Sequence, residues 1–192
     1  MENQLLIQNR ELSDVLAQMH SDDLQATFSQ AVDIVLETLN VGGKILFCGN
    51  GGSAAESQHM AAEYSATLSS SNFRPGFAAL ALTTDTSFVT AWSNDFGFEQ
   101  VFARQVENLA SSKDVLMAYS TSGNSSNVRL GCEAAQKAGA KVIGLLGGDG
   151  GAIKSVCTTS IVVPSKSTPR IQECHTLIGH SICRQVEIKL GY

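Results

Sequence analysis

Phe47-Cys48-Gly49-Asn50-Gly51-Gly52-Ser53-Ala54-Ala55-Glu56-Ser57-Gln58-His59-Met60-Ala61-Ala62-Glu63 is the stretch from which the rest of this chain is read. An apolar strand, Lys44 to Cys48, runs into a glycine-rich turn and then an alanine-rich helix. Ser53 stands where an N-cap belongs, and Glu56, three residues on, completes a capping box. Glycines keep side chains out of the way, and free N–H groups at a helix start attract anions, phosphate above all. His59 and Glu63 are four residues apart, so they project from one helix face just over a turn beyond the anion site. A phosphate cradle backed by a His–carboxylate pair has the form of an active site. Two plainer readings compete with it. Gly49-x-Gly51-x-x-Ala54 also fits the looser dinucleotide fingerprint, with Asp85 as the ribose-binding acid. His59 with Glu63 also fits a surface helical pair.

The 192 residues suit one domain with a sizeable core, and 43% hydrophobic against 16% charged residues is ordinary for a compact α/β protein. A formal charge of −5 without a Lys/Arg block argues against nucleic acid or an anionic membrane as partner. An anionic substrate must then be held by backbone N–H groups, hydroxyls and a few local cations. There is no 18-residue apolar run, and Met1-Glu2-Asn3-Gln4 lacks the basic start of a signal peptide. The five cysteines are widely spread without a CxxC pair, which reads as reduced thiols of a cytoplasmic protein.

Outward from the glycine turn, the chain divides into helical ends and an alternating middle. Residues 2 to about 20 read as an amphipathic helix; Ser21, Asp22 and Asp23 then cap a second, running to about Leu39. The strand Lys44–Cys48 and the helix from Ser53 to about Leu68 follow. Next come the strand Ala78–Leu82, a helix opened by Thr83-Thr84-Asp85 through Trp92, a turn at Asn94-Asp95-Phe96-Gly97, and helix again to about Leu109. The strand Val115–Tyr119 leads to a helix ending near Ala138. The strands Lys141–Leu146 and Ser160–Val163 flank a short helical piece, and a long helix from about Pro169 to Leu190 closes the chain. Strands separated by helical crossovers predict a five-stranded parallel sheet covered on both faces, with ligands beyond the carboxyl ends of its strands.

A second polar loop shifts the balance away from a dinucleotide. Ser120-Thr121-Ser122-Gly123-Asn124-Ser125 offers hydroxyls and N–H groups after one strand and before one helix, a phosphate nest without a lysine. Two such loops at one sheet edge suit a phosphorylated sugar, one loop taking the phosphate and the other the hydroxyls.

Together, Gly49-Asn50-Gly51-Gly52-Ser53 and Ser120-Thr121-Ser122-Gly123-Asn124-Ser125 resemble the SIS (sugar isomerase) domain family, and within it the phosphoheptose isomerase branch. The resemblance extends to Arg74-Pro75-Gly76, Asn94-Asp95-Phe96-Gly97-Phe98, Gly148-Asp149-Gly150-Gly151 and Arg170-Ile171-Gln172-Glu173. It implies a flavodoxin-like three-layer α/β/α sandwich, 1–192 as a single SIS domain, and a homotetramer with residues 1–40 in its helical core and active sites between subunits. It implies substrate contacts from Asn50, Gly51, Gly52, Ser53, Glu63, Asn94, Asp95 and Gln172, with Ser120, Thr121, Ser122 and Ser125 on the phosphate. It further implies one zinc per subunit on His59, Glu63, Gln172 and His180, with Glu63 and His180 as the acid/base pair.

Two departures from the family pattern stand out. Thr67 replaces an arginine four residues after the glutamate, leaving Arg74 as the nearby substitute, and Pro169 replaces an acidic residue before Arg170. His175, on the other side of Gln172 from His180, is a rival ligand that spacing alone does not dismiss. The activity implied is interconversion of sedoheptulose 7-phosphate and D-glycero-D-manno-heptose 7-phosphate. The alternatives are an isomerase of another sugar phosphate and a non-catalytic SIS protein binding a replication initiator.

Overall fold

The computed structural model describes residues 3–192. At its centre lies a parallel sheet of five strands: β1 (Ile45–Cys48), β2 (Ala79–Ala81), β3 (Val115–Ser120), β4 (Lys141–Gly147) and β5 (Thr159–Val163). Their order is β2-β1-β3-β4-β5, with Ile45 facing Ala79 on one side and Val115 on the other. All four residues of β1 and all six of β3 are buried, which is why they read as unbroken apolar runs rather than alternating ones. The pleat still sorts them. Ile45, Phe47, Val115, Met117 and Tyr119 enter one core, and Leu46, Cys48, Leu116 and Ala118 enter the other.

Helices cover both faces, giving the expected three layers. On the first face lie α1 (Gln4–Gln18), α2 (Asp22–Asn40), α3 (Gly52–Ser65) and α7 (Thr168–Lys189). The second carries α4 (Thr86–Phe96), α5 (Val101–Leu109) and α6 (Ser126–Lys137), with 3-10 turns at Phe98–Gln100 and Ala152–Val156. Ser21 caps α2 by accepting the Leu24 N–H, as expected. The predicted start of the first helix, at residue 2, lies outside the described residues; Asn3 caps α1 through the Leu5 N–H. No helix among the described residues is long and apolar enough to cross a membrane.

The strand order reverses direction between β1 and β3, a topological switch point where loops part and leave a crevice. The glycine turn after β1 and the Ser/Thr loop after β3 flank that crevice. A reciprocal pair joins them: Asn50 and Asn127 each donate a side-chain N–H to the other's amide oxygen at 2.8 Å.

Two local expectations are corrected. Ser53 does not cap α3; it is buried within the first turn, and Gly51 is the N-cap, with φ +55° and no side chain to offer. Glu56 therefore closes no capping box and turns toward α7 instead, where it accepts a hydrogen bond from Thr176. Asn94, Asp95 and Phe96 form the last turn of α4 rather than a loop. The stop is Gly97, whose φ of +91° a side chain would strain.

Candidate active site

The site is built on a seam where α3 and α7 run side by side in the same direction. A Cβ at Gly52 would lie 2.3 Å from the Gln172 amide nitrogen, and one at Gly179 would lie 2.5 Å from Met60 Sδ. Small residues at both points let the helices approach closely. Between those points Glu56 Oε2 accepts the Thr176 hydroxyl at 2.8 Å, and His59 Nε2 meets His180 Nε2 at 2.8 Å.

His59, Glu63 and His180 converge there. His59 Nε2 is 3.7 Å from Glu63 Oε1, and one donor atom from each of the three lies within 4.8 Å of the others. The two rings meet edge to face, 5.0 Å between centroids. Two imidazole nitrogens and a carboxylate oxygen form the donor set that zinc prefers. Ligand nitrogens about 2.0–2.1 Å from a tetrahedral zinc are themselves about 3.3–3.4 Å apart. The observed separations of 2.8 and 3.7 Å bracket that value, so the cluster fits such an ion with small rotamer adjustments. Gln172 sits two turns before His180, its amide over Gly52, in the wall of a cavity of about 250 Å³ that Ser53, Glu56 and Thr176 also line.

His175 leaves the contest for this cluster. Its ring is buried against Tyr119, and its Nε2–H donates to the Leu146 carbonyl at 3.2 Å. Burial pulls its pKa down to about 4, so it is a neutral core histidine at neutral pH.

Arg74 also falls out as a substrate contact. Its side chain is fully buried, paired to Glu187 at 2.7 Å, and donates to the carbonyls of Glu63, Tyr64 and Pro75. It closes the end of α3 and lies over the Phe77 ring at 4.0 Å. It therefore cannot stand in for an arginine at position 67. Thr67 itself turns inward, its hydroxyl placed between the carbonyls of Ser69 and Asn72.

The phosphate-type loop is pinned from below. A Cβ at Gly123 (φ +65°) would meet the Gly150 carbonyl oxygen at 2.1 Å, so the loop lies directly on the turn after β4. Asn124 Oδ1 accepts the Ala152 N–H and Gly123 O accepts the Ile153 N–H. Ser120 and Ser125 hydroxyls face each other at 3.2 Å, leaving Thr121 and Ser122 on the open side. The expected absence of a lysine needs amending: Lys166 shares a cavity of about 220 Å³ with Thr121 and Ser122. The Asn50 side chain is tied at both ends to Asn127, which leaves one amide N–H and one oxygen lone pair free beside its backbone groups. Asn94 and Asp95 stand apart from the seam, exposed at the end of α4 and bonded to each other at 2.8 Å.

Besides Lys166, three residues of the site escaped the sequence reading. Asn127 is the buried tie between the loops; an amide in a helix's first turn was its only trace. Glu56 had been spent on a cap, and Thr176 carried no sign at all.

A profile described as SIS domain matches residues 9–147. Phosphoheptose isomerases match over most of the chain, α7 included. That of Aliarcobacter butzleri is 48% identical over 171 residues, 89% of each chain, and that of Nitratiruptor is 51% identical over 166 residues, covering 86% of this chain and 88% of that one. The chain belongs to the phosphoheptose isomerase family of SIS-domain proteins. Solved phosphoheptose isomerases share the fold throughout. The Neisseria gonorrhoeae structure superposes with a TM-score of 0.88 at 40% identity, covering 96% of this chain and 97% of that one. The Francisella tularensis structure also gives 0.88, at 34% identity, covering 98% of this chain and all of that one. Among phosphoheptose isomerases, then, this one presents its His59–Glu63–His180 cluster at the meeting of its third and last helices.

Proposed function

We propose that this protein interconverts sedoheptulose 7-phosphate and D-glycero-D-manno-heptose 7-phosphate through an enediol(ate), as a cytoplasmic homotetramer. The observation that carries the reading is the cluster of His59, Glu63 and His180, two of its members on the helix that the glycine turn opens. Family membership gives the substrate class. The reaction moves a proton between C1 and C2 and needs a base near both carbons, an acid at the oxygens, and stabilisation of developing negative charge.

Glu63 is assigned as the base. It is half-buried, and its helix end is held by the Arg74 guanidinium on its own carbonyl. His180 is the acid at the carbonyl oxygen, close enough to Glu63 for the two to work on neighbouring atoms. His59, Glu63, Gln172 and His180 would hold one zinc per subunit, which supplies Lewis-acid polarisation of the sugar oxygens. Ser120, Thr121, Ser122 and Ser125 take the phosphate, and the Asn50-Gly51-Gly52-Ser53 turn takes hydroxyls through its backbone.

The exposed Asn94–Asp95 pair is assigned to a site shared with a neighbouring copy. The whole chain acts as one SIS domain, and α1 and α2 supply the helical core of the tetramer. Leu5 and Leu6 stand 73% and 53% exposed on α1, apolar surface that association would cover. A coupled assay with sedoheptulose 7-phosphate, run with chelator and again after zinc is restored, tests the reading. Loss and return of turnover is the expected result. A protein that stays inactive with zinc, or turns over another sugar phosphate faster, removes it.

A further inference from the structure

Beneath the Ser/Thr loop, on the sheet face away from the α3–α7 seam, two thiols meet. Cys132 is wholly buried in α6, the helix that follows the loop, and Cys157 ends the 3-10 turn Ala152–Val156 on which the loop rests. Their side chains are hydrogen-bonded to each other. Gly144 makes the space: a Cβ there would lie 2.7 Å from Cys157 Sγ, so the sulfur sits tight against β4. Among the described residues only His59, Glu63 and His180 gather as three metal donors within 4.8 Å, so these thiols are a pair and not a metal site.

The two sulfurs are not equivalent. The bond from Cys132 draws the Cys157 thiol below its ordinary range, against the effect of burial. The same bond, with burial, pushes the Cys132 thiol well up. Cys132 therefore keeps its proton, and Cys157 turns to thiolate, the form that attacks an oxidant. Cys157 is also the reachable member, part exposed and lining a cavity of about 450 Å³ beside β5. Cys48, a third thiol nearby, is held protonated by burial first and by Cys157 second.

What the pair touches gives it a use. Gly123 O accepts the Ile153 N–H at 2.9 Å and Asn124 Oδ1 the Ala152 N–H at 3.0 Å, so the loop hangs on the turn that Cys157 ends. Cys157 Sγ–H in turn donates to the Ile153 carbonyl at 3.2 Å. A disulfide holds its sulfurs about 2.05 Å apart, closer than any hydrogen bond, so closing one takes Cys157 off Ile153 and draws the turn toward α6.

We propose that Cys132 and Cys157 are an oxidation site for hydroperoxides, and that closing their disulfide loosens the seat of the 120–125 loop. The Cys157 thiolate attacks one peroxide oxygen, the O–O bond breaks, hydroxide leaves and the sulfur becomes a sulfenic acid. The Cys132 sulfur then displaces that hydroxyl. The S–S bond forms, the S–O bond breaks, and the Cys132 proton leaves with the hydroxyl as water. The sulfurs give up two electrons in all, and the peroxide takes them.

The test treats the reduced protein with hydrogen peroxide, maps its peptides by mass, and repeats the measurement after dithiothreitol. A Cys132–Cys157 peptide should appear, free thiols should fall from five to three, and both changes should revert. Amide exchange in residues 121–126 should speed up about two- to tenfold on oxidation, the equivalent of one hydrogen bond lost under the loop. Cys132→Ala and Cys157→Ser should each abolish the bridge and that acceleration, and the wild-type mapping carries the test if either variant folds poorly. KM for sedoheptulose 7-phosphate should rise by the same factor and recover on reduction; this readout alone rests on the isomerase reading above. Wild-type protein that keeps five thiols, or that bridges Cys157 to Cys48, overturns the proposal. A Cys132–Cys157 bridge with unchanged loop exchange overturns its link to the loop. Faster exchange with unchanged KM supports the switch and counts against the phosphate assignment instead.

Discussion

Glu63 and Glu187 are both glutamates on the α3–α7 pair, and so are His180 and His175 both histidines of α7, yet the members of each couple live in opposite surroundings. Glu187 is wholly buried, with Arg74 on one oxygen and Arg184 on the other. Glu63 is part exposed and offers an oxygen to a histidine 3.7 Å away. His175 is sealed against Tyr119 and bonded to a backbone carbonyl, whereas His180 opens onto His59, whose side chain is 45% exposed. The groups that hold the fold are sealed from solvent and bonded to protein, Glu187 through both oxygens and His175 through Nε2. Those assigned to chemistry are left reachable and incompletely answered. The same residue types thus serve two ends because packing, not composition, decides how much of each is free to react.

The largest effect tests the sealed half. Arg74→Met leaves Glu187 buried without its closest cation and removes the donors from the end of α3. Breaking one side of a buried pair typically costs about 3–5 kcal/mol. Urea unfolding should show a loss of that size, with turnover per folded molecule changed far less than stability. A variant as stable as wild type would mean that Glu187 finds another partner and that the two glutamates differ less than their surroundings imply.

His175 gives a second test of the sealed half through pH. Its folded pKa, about 4, lies below the ordinary 6.5, so the unfolded chain takes the proton first. The contribution is fully present above about pH 6.5 and is lost as pH falls toward 4, with a span of about 3 kcal/mol. Stability measured between pH 7 and 4.5 should fall, and His175→Gln should flatten that slope while leaving turnover at neutral pH nearly unchanged. His180→Gln should instead damage metal retention and turnover. If His175 proves essential for turnover, the division between the two histidines fails.

Glu63→Gln tests the open half. It keeps shape but removes the basic carboxylate, and kcat should drop about 10²-fold or more with stability nearly intact. Glu187→Gln, the matched change at the sealed end, should lower stability and spare kcat. Equal kcat losses in the two variants would erase the distinction.

Much of the architecture was legible because burial on both faces writes itself into β1, β3 and β4 as apolar runs, and glycines mark where those runs end. The loops were legible for the same reason: hydroxyls and glycines have little other use at a strand's carboxyl end. What stayed hidden depends on residues far apart in sequence. Arg74 looked like a free cation because Glu187, 113 residues away, could not be seen beside it. Glu56 looked like a cap because Thr176 lies 120 residues on. Asn94 and Asp95 looked like a turn because their composition favours one, while the helix continues to the residue before Gly97. Local chemistry was readable, and the partner that commits each side chain to one role was not.

The smallest effects concern the second loop, which has the same two kinds of surroundings on a finer scale. Ser125 faces Ser120 at 3.2 Å, whereas Ser122 is exposed and bonded only locally, its hydroxyl accepting the Asn124 N–H at 3.1 Å. Both are assigned to the phosphate, so each loss removes a hydrogen bond to a charged group, worth roughly 1.5–3 kcal/mol or about ten- to a hundredfold in binding. KM should rise by that factor in Ser122→Ala and Ser125→Ala, with kcat less affected. Ser125→Ala should also soften the loop, because Ser120 loses its neighbour, so its kcat should suffer more than that of Ser122→Ala. Lys166 stands at the rim of the cavity that Ser122 lines, exposed to solvent. An exposed charge contributes only about 0.2–1 kcal/mol, so Lys166→Ala should raise KM less than about fivefold, and added salt should shrink the difference. Initial rates for the three variants at low and high salt read all of this at once. Unchanged KM and kcat in both serine variants would place the phosphate elsewhere. A Lys166→Ala effect as large as theirs, and insensitive to salt, would mean the phosphate is held by charge rather than by the hydroxyl loop.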